Sequence, residues 1–292
     1  MICSNPMPLK QESGEIITVP CGRCMPCRVN HAQEWALRIE TEMKDCYSAY
    51  FITLTYDDAQ IPRNDLGNGI LHKPDLQKFF KRLRYYADQY YKTQMENLGF
   101  NQTLKVPSIR YYAVGEYGEE TYRPHYHAIV FNIPTETIKY LERIWQHGFV
   151  KIGTVTPKSI RYVTKYITKW DSRDLDTKEL IKPFNVMSKG IGANYVNEES
   201  REYHSRKQSL YTINKKYKQR IGKYLENKIH DTDEKKARVA YHKKRNAAIA
   251  KQELLAEEAK LREQGVDLYK HYENKRESQE QLFIKNNKRN KL

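Results

Sequence analysis

The chain has 292 residues, with 51 lysines and arginines against 36 aspartates and glutamates and a formal net charge of +15. This length leaves room for one sizeable domain with appendages, and the charge predicts a partner with a phosphate backbone. No run of eighteen apolar residues occurs, and residues 1–10 lack a basic region followed by an apolar run. Composition therefore argues against a membrane-spanning helix and a secretion signal, and it predicts a soluble, intracellular protein.

The first predicted element is a cysteine cluster near the start of the chain. Cys3 is followed by Cys21, Cys24 and Cys27 in Cys-x-x-Cys-x-x-Cys spacing, which places three thiolates on one tight turn. With Cys3 as the fourth ligand, the set predicts a structural, tetrahedral zinc site. An iron–sulfur cluster and ordinary free thiols remain alternatives. We expect zinc here to hold the N-terminal segment in place and to take no part in catalysis.

Hydrophobic periodicity predicts an alternation of helices and strands after the cysteines. Helices are predicted over 31–44, 73–91, 135–145 and from Pro157, and strands over 49–56, 109–116, 125–131 and 149–155. This β-α-β-β-α-β-α order is typical of an α+β fold. We predict an antiparallel sheet of about five strands backed by helices, with the 125–131 strand in the centre.

The third predicted strand carries two histidines at alternate positions, His125 and His127. Because successive side chains of a strand point to opposite faces, both imidazoles should lie on one face, close enough to bind one cation. The preceding strand ends at Glu116, which an antiparallel connection could bring level with them. Glu119 and Glu120 compete for that role but fall in the predicted loop. The set predicts a Mg²⁺ or Mn²⁺ site, and a half-exposed surface pair of histidines is the alternative.

The helix that begins near Pro157 carries Tyr162 and Tyr166, four residues apart. Residues at this spacing lie on one helix face, so two phenol oxygens would stand side by side, with Lys165 and Lys169 near the same edge. A purely structural role is the alternative, since the chain contains 23 tyrosines. Phenols among cations suit phosphate chemistry, and the pair predicts two interchangeable nucleophiles.

The rest of the chain is less regular. Residues 185–197 contain two glycines and predict a loop or lid. Residues 237–263 alternate cations and anions around apolar residues at helical spacing, which predicts a solvated helix, with an arm for DNA or a partner as the alternative. We divide the chain into a cysteine-rich segment with a helix (1–48), a catalytic domain (49–222) and a charged tail that is mainly helical or partly disordered (223–292).

Three motifs occur in a characteristic order. They are Phe51-Ile-Thr-Leu-Thr-Tyr56, then Arg123-Pro-His-Tyr-His127 with Glu116 upstream, then Tyr162-Val-Thr-Lys-Tyr-Ile-Thr-Lys169. Together they resemble the rolling-circle replication initiators of the His-hydrophobe-His (HUH) endonuclease superfamily, especially those of microvirus-type, gokushovirus-like single-stranded DNA phages. The resemblance covers roughly positions 20 to 170. The two-tyrosine third motif is the phage form, since many plasmid and eukaryotic viral relatives carry one tyrosine.

The resemblance implies an HUH-like fold and a DNA endonuclease. In that family two histidines and a third polar residue bind the metal, and a tyrosine cuts DNA by forming a 5′-phosphotyrosine link. Carried over, these roles fall on His125, His127 and Glu116 as ligands, and on Tyr162 and Tyr166 as nucleophiles. The enzyme would nick the viral origin of a circular DNA, leave a 3′-hydroxyl primer and later rejoin the displaced strand into a circle.

Other residues of the motifs receive supporting roles. Lys165 should favour the phenolate, and Arg123, Arg161 and Lys169 are predicted to contact DNA. Thr53, like Thr55, is assigned packing or phosphate contacts. The implied partners are single-stranded DNA, replication-origin DNA and the replication helicase and polymerase of the host, in the cytoplasm of a bacterium.

Other functions remain open at the level of sequence. A plasmid-type replication protein or mobilisation relaxase would use the same chemistry. A basic protein that coats or packages single-stranded DNA, or a zinc-stabilised DNA-binding protein without catalytic activity, would share the composition. Neither of these last two explains why paired histidines and paired tyrosines occur together. Metal-dependent nicking separates both of them from an enzyme.

Overall fold

The computed structural model describes residues 3–10, 14–98, 106–118, 120–165, 177–207, 209–214 and 217–289. The chain divides into two compact units. We call Trp35–Asn194 the sheet unit, and Met1–Glu34 together with Tyr195–Leu292 the cysteine unit. The histidine motif lies in the sheet unit, and the four clustered cysteines lie in the cysteine unit.

Strands and helices alternate over most of the chain, and helices dominate its end. The strands are β1 (Met7–Lys10), β2 (Ile16–Val19), β3 (Ala49–Thr55), β4 (Arg110–Tyr117), β5 (Pro124–Phe131), β6 (Val150–Thr154), β7 (Phe184–Met187), β8 (Tyr211–Asn214) and β9 (Tyr217–Arg220). The α-helices are α1 (Met25–Glu42), α2 (Lys73–Asn97), α3 (Leu141–Trp145), α4 (Pro157–Lys165), α5 (Glu198–Lys207), α6 (Gly222–Ile229), α7 (Asp233–Glu263) and α8 (Leu268–Arg289). Within the described ranges, no helix has the length and apolar character needed to cross a membrane.

The sheet unit is built on a five-stranded antiparallel sheet with the strand order β6-β3-β5-β4-β7. The central strand, β5, pairs along its length with β3 on one side and β4 on the other. Pairing on both sides sets the register of a strand and therefore the direction of its side chains. The predicted α+β class, the sheet of about five strands and the central position of the histidine strand are confirmed. The HUH-like character of the fold stays a prediction.

Helices cover both faces of this sheet. On one face, Phe79 of α2 and Trp145 of α3 are fully buried in the larger apolar core. On the other face, Ile39 of α1 packs with Ile160 and Val163 of α4 in a second core. Full burial of a large apolar side chain contributes about 1.5–3 kcal/mol. The two cores hold α4 firmly against the sheet face that carries the histidines.

The helix predicted over 135–145 differs in its first half. Thr135–Tyr140 forms a 3₁₀ helix, and only Leu141–Trp145 is α-helical. The amide of Thr137 donates to the Pro134 carbonyl at 2.9 Å, an i to i+3 bond that winds the chain more tightly. Apolar spacing over eleven residues does not distinguish this mixed helix from a continuous α-helix.

The loop predicted over 185–197 is in part a strand, and that prediction is wrong for its first residues. β7 pairs with β4 and completes the sheet at its edge. Its four residues are too few to show the alternation that predicts a strand. Further on, Gly192 has a φ of +72°, and a Cβ there would lie 2.6 Å from the Cα of Arg38, so glycine is required where the chain crosses α1.

The cysteine unit contains two small antiparallel ribbons, β1 with β2 and β8 with β9. Leu225 and Ile229 of α6 are buried, as is His204 of α5. The long helices α7 and α8 follow, with 31 and 22 residues. The predicted charged helical extension at the C-terminal end is confirmed. The division of functions among 1–48, 49–222 and 223–292 stays a prediction.

Candidate active site

The two predicted histidine ligands lie on one face of the central strand. Ile129 and Phe131 of β5 pack into the core formed with α1 and α4, and His125 and His127 share that face because side chains alternate along a strand. Glu116 of β4 is the register partner of His125. Directly opposed residues of an antiparallel pair have Cβ atoms about 4.5–5.5 Å apart. Strand pairing therefore brings the three predicted metal ligands together.

Both imidazoles approach the same oxygen of Glu116. The Nε2 atoms of His125 and His127 lie 3.0 and 2.9 Å from its Oε1. The site is shielded from solvent, since Glu116 is 2% exposed and His127 7%. The second carboxylate oxygen of Glu116, Oε2, is buried and has no hydrogen-bond partner among the described residues. A buried carboxylate oxygen without a donor is unfavourable unless a cation or a water molecule reaches it.

The hydrogen bond on the far side of His125 determines where its proton lies. Its Nδ1 is 3.0 Å from the backbone carbonyl oxygen of Arg123, which only accepts, so Nδ1 carries the proton and donates. In the neutral ring, Nε2 then directs a lone pair at Glu116 Oε1, which is repulsive unless a proton or a metal ion lies between them. A backbone carbonyl bonded to the other ring nitrogen is typical of metal-binding histidines. These residues therefore fit a divalent cation.

Burial and charge pairing shift the pKa values of the three groups. Burial acts to raise the pKa of Glu116, but hydrogen bonds from the two histidines outweigh it and hold that pKa below its usual value. Burial acts to lower the pKa of His125, and its pairing with Glu116 outweighs this and raises the pKa. For His127, burial prevails and the pKa is lowered. At neutral pH, Glu116 is thus ionised and His127 neutral, the states in which each binds metal.

Strand β3 supports His127 in a way that its sequence does not reveal. Thr53 is the register partner of His127, and its Oγ1 lies 2.9 Å from His127 Nδ1. The ring of Phe51 stacks on the imidazole, with 5.6 Å between centroids and 10° between planes. Both contacts orient His127 so that Nε2 faces Glu116. The only signal in the sequence was the first motif itself, whose polar residues had no identifiable partner before strand pairing was known.

A reciprocal cap anchors the helix that carries Tyr162. The Ser159 amide donates to Thr156 Oγ1 at 3.1 Å, and the Thr156 amide donates to Ser159 Oγ at 2.8 Å. Pro157 occupies the first helical position, where its missing amide hydrogen is not needed. The arrangement is a capping box with serine in the place of the usual glutamate. Helix α4 therefore starts at a defined residue, which sets the direction of Tyr162.

Tyr162 reaches the two histidines and the carboxylate. Its hydroxyl donates to Glu116 Oε1 at 3.1 Å and lies 3.5 Å from His127 Nε2. Its ring meets the His127 imidazole edge-on, with 5.0 Å between centroids. The ammonium of Lys165, a buried residue, lies 4.4 Å from the centre of the Tyr162 ring. A phenol and a lysine thus join the candidate metal ligands, as the tyrosine motif predicts.

Other residues considered in the sequence analysis are not part of this arrangement. Tyr166, Lys169 and Glu119 lie outside the described residues, so the pairing of the two tyrosines stays a prediction. Arg161 is exposed on α4, and Glu120 is exposed in the turn before β5. Both positions are open to solvent, which leaves the predicted DNA contact of Arg161 sterically accessible.

Arg123 anchors the start of the histidine strand. Its guanidinium forms an ion pair with Asp58 and donates to the backbone carbonyl of Tyr56. These contacts tie the turn before β5 to the segment that follows β3. The Asp58 side chain is exposed, so water screens this ion pair strongly. The predicted DNA contact of Arg123 stays a prediction.

The four cysteines predicted as a zinc site come together in the cysteine unit. The sulfur atoms of Cys3, Cys21, Cys24 and Cys27 all lie within 4.8 Å of one another, and none forms a disulfide. Backbone amides point at the sulfurs: the Cys21 amide donates to Cys3 Sγ at 3.3 Å, and the Cys24 amide donates to Cys21 Sγ at 3.3 Å. Such donors stabilise thiolates, the form in which cysteine binds metal.

The thiols of this cluster do not share one pKa. Burial acts to raise the pKa of Cys24, but hydrogen bonds from the backbone of Cys27 and Ser4 outweigh it and lower the pKa to about 6. Cys24 also directly precedes α1, whose N-terminus favours negative charge. Burial and the neighbouring Cys24 raise the pKa of Cys27 to about 12. One thiolate therefore forms readily near neutral pH.

Comparison with known proteins relates the sheet unit to phage replication. Residues 49–171 match the family model of the replication-associated protein ORF2. The chain is 29% identical over 255 residues to the replication-associated protein ORF2 of Spiroplasma virus 4, which covers 81% of this chain and 75% of that protein. It is also 29% identical over 204 residues to the replication-associated protein VP4 of Bdellovibrio phage phiMH2K, covering 64% of this chain and 60% of that protein.

A third relative is more distant. The replication-associated protein ORF4 of Chlamydia phage 1 is 26% identical over 170 residues, covering 52% of this chain and 38% of that protein. The chain thus spans less than two thirds of the Bdellovibrio and Chlamydia phage proteins. No solved structure matches the chain significantly. The resemblance to microvirus replication initiation proteins, predicted from the three motifs, is confirmed by these matches, and the matched region contains every described residue of the candidate active site.

Proposed function

We propose that this chain, similar over residues 49–171 to the replication-associated protein ORF2 family, initiates rolling-circle replication by cutting one strand of a circular phage DNA at its origin. The observation that carries the proposal is the Tyr162 hydroxyl, which lies 3.1 Å from the carboxylate oxygen on which both histidines converge. A nucleophile acts only if it stands close to the phosphate that the rest of the site holds. Tyr162 is in that position.

Glu116, His125 and His127 would hold a divalent cation, Mg²⁺ or Mn²⁺. Bound there, the cation would polarise a non-bridging oxygen of the scissile phosphate and stabilise the charge that develops on it. The ionised state of Glu116 and its buried, undonated Oε2 support this assignment. Thr53 would keep His127 in the orientation that coordination requires.

In the proposed cleavage step, the Tyr162 oxygen attacks phosphorus, and the bond from phosphorus to the 3′-oxygen of the preceding nucleotide breaks. The phenol loses its proton, and the departing oxygen takes one up to become a 3′-hydroxyl primer. A phenol has an ordinary pKa near 10, so a neighbouring positive charge is needed to favour its anion at pH 7. The Lys165 ammonium above the ring supplies that charge. The resulting 5′-phosphotyrosine conserves the bond energy for later rejoining.

Rejoining calls for a second nucleophile, which the third motif offers in Tyr166, four residues after Tyr162. One tyrosine would hold the 5′ end while the other cuts the regenerated origin after one round of synthesis. The freed 3′-hydroxyl would then attack the first phosphotyrosine, which closes the displaced strand into a circle and releases the tyrosine. This part of the proposal rests on the motif alone.

We further propose that Cys3, Cys21, Cys24 and Cys27 hold one structural zinc ion. Four thiols within 4.8 Å of one another match a tetrahedral, all-sulfur zinc site. The lowered pKa of Cys24 and the amide donors to sulfur favour the thiolates that zinc needs. The cluster lies outside residues 49–171, which is consistent with a role in stability and not in strand cutting.

The proposed substrate is unpaired DNA at the origin, bound through phosphate contacts that include Arg123, Arg161 and Lys169. The net charge of +15 supports a nucleic-acid partner. A helicase and a polymerase of the host would extend the 3′-hydroxyl primer, which places the reaction in the cytoplasm of the infected bacterium. A relaxase would use the same step, and a non-catalytic DNA-binding protein would leave the position of Tyr162 without purpose.

The proposal is tested with circular single-stranded DNA of the phage that carries this gene, incubated with purified protein and Mn²⁺ and resolved on denaturing gels. We expect a covalent protein–DNA adduct and a fragment whose 3′-hydroxyl a polymerase can extend. The double variant Tyr162→Phe/Tyr166→Phe should form no adduct, whereas Tyr85→Phe, an exposed tyrosine of α2, should behave as wild type. An adduct formed by the double variant would place the nucleophile elsewhere. No cleavage by wild type with any metal would favour a DNA-binding protein without catalytic activity.

A further inference from the structure

An exposed aromatic residue stands in the same row of the sheet as the candidate metal ligands. Phe149, which directly precedes β6, is 66% exposed. Its amide donates to the Thr55 carbonyl at 3.1 Å and its carbonyl accepts from the Thr55 amide at 3.0 Å, so the two residues are a hydrogen-bonded pair. Thr55 is the register partner of His125, which in turn pairs with Glu116. The row therefore runs from Phe149 across β3 to the site.

Alternation along β6 sets the face on which Phe149 lies. Val150 packs against the core on the α2 side of the sheet. Phe149 and Lys151 therefore point to the opposite face, which carries the histidines. Lys151 is exposed and is the register partner of Thr53. With neighbouring strands about 4.8 Å apart, the backbone of Phe149 lies two strand spacings, about 10 Å, from that of His125.

The backbone that carries Phe149 is rigidly held. Gly148 has a φ of +144°, and a Cβ there would lie 2.4 Å from the amide nitrogen of Asp57, so no side chain fits. The Asp57 amide donates to the His147 carbonyl at 2.8 Å. The indole of Trp145 donates to the Thr55 carbonyl at 2.9 Å from the buried face. The exposed ring is thus presented by fixed backbone and not by a free loop.

We propose that Phe149 stacks on an unpaired base that flanks the scissile phosphate, and that Lys151 binds a backbone phosphate beside it. This inference rests on the proposed nuclease function. Aromatic rings bind unpaired bases by stacking, largely irrespective of sequence, and a lysine beside such a ring neutralises the backbone. A rigid apolar ring next to a cation, in register with the site, matches this ligand better than an apolar protein surface, which would leave the Lys151 charge without a counterpart.

The test compares four variants in cleavage of single-stranded origin DNA. Phe149→Ala should raise KM about tenfold with little change in kcat, a loss of about 1.4 kcal/mol, which lies within the range for stacking on one base. Phe149→Trp should restore wild-type KM. Lys151→Ala should raise KM and reduce the dependence of binding on salt by about one phosphate contact. The matched control is Ile152→Ala, on the same strand, 39% exposed and on the other face, which should change neither.

A second arm uses binding alone, so that the outcome does not depend on cleavage. Fluorescence anisotropy measures binding of a labelled single-stranded oligonucleotide in the presence of EDTA, with and without an abasic position next to the cleavage site. The effect of Phe149→Ala should disappear on the abasic strand. Equal affinity and KM for Phe149→Ala and wild type would overturn the inference while leaving the nuclease assignment intact. A loss that Phe149→Trp does not restore, or that persists on the abasic strand, would also overturn it. Absence of cleavage by wild type contradicts the proposed function instead, and the binding arm still decides the stacking.

Discussion

The two candidate metal centres of this protein are assembled in opposite ways. In the cysteine cluster, three of four ligands come from one short segment, Cys21 to Cys27. In the sheet unit, the ligands come from two paired strands, and the Tyr162 hydroxyl comes from a helix 35 residues beyond His127. The first centre is local in sequence, whereas the second exists only once the sheet has formed.

This difference predicts what each metal contributes. The ribbon next to the cysteines, β1 with β2, is largely exposed and buries little apolar surface that could hold the segment without a metal. The Glu116, His125 and His127 site is held by a central strand between two apolar cores and does not need a metal to form. Loss of a ligand should therefore affect chemistry at the sheet and stability at the cysteines. The predictions below measure both quantities for both centres.

The largest effect is expected from His125→Ala/His127→Ala. Because the imidazoles would hold the cation that polarises the phosphate, cleavage should fall at least about a thousandfold, while binding of single-stranded DNA, supplied by lysine and arginine contacts, should change little. Gel-based cleavage and fluorescence anisotropy measure the two quantities. His147→Ala, on the opposite face of the sheet, is the control and should retain cleavage. Undiminished nicking by the double variant in buffer with metal would remove the metal-site assignment.

Single tyrosine substitutions should separate cutting from joining. Tyr162→Phe and Tyr166→Phe should each retain some first-strand cleavage, since either phenol could reach the phosphate if both share a helix face. Both should fail to release closed circles in multi-round replication, because transfer needs one tyrosine occupied and the other free. Cleavage-and-joining assays on denaturing gels measure both steps. Full activity of Tyr162→Phe in both steps would make Tyr162 structural.

A smaller effect is expected from Thr53→Val, which removes the oxygen beside His127 Nδ1 and keeps the side-chain shape. Loss of such a partner lowers metal affinity about 10–100-fold. The metal concentration for half-maximal cleavage should rise by this factor, while maximal cleavage at saturating Mn²⁺ stays near wild type. Thr53→Ser should restore the affinity, and Thr55→Val on the same strand is the control. An unchanged metal requirement would show that Thr53 only packs.

The smallest effect on cleavage, and the largest on stability, is expected from Cys24→Ser. The variant should lose most of about one zinc per chain and about 2–3 kcal/mol of stability, a fall in Tm of roughly 5–10 °C, with cleavage at low temperature nearly unchanged. Elemental analysis and thermal melts measure these outcomes, with Cys46→Ser as a control outside the cluster. A metal-free preparation that melts at the wild-type temperature would leave these residues as ordinary thiols. Visible absorption from bound iron would instead indicate an iron–sulfur cluster.

The extent of successful prediction followed the distance over which each signal acts. Alternation placed His125 and His127 on one face, and the short connection from Glu116 brought the carboxylate opposite them, because a hairpin pairs residues that are close in sequence. The edge strand β7 and the 3₁₀ turn over Thr135–Tyr140 were not predicted. Both are short, and β7 pairs with a strand about seventy residues earlier, so no local pattern marks it.

By itself, the sequence determined which side chains carry the chemistry: two histidines at strand spacing, a tyrosine on a capped helix and four clustered cysteines. These features depend on the periods of strands and helices and on local turns, which neighbouring residues dictate. Only the tertiary structure decided that Thr53 supports His127, that Glu116 keeps a buried oxygen without a donor, and that Phe149 stands in the row of the site. Each of these depends on the register between distant strands, and a shift of one residue would turn every side chain to the other face.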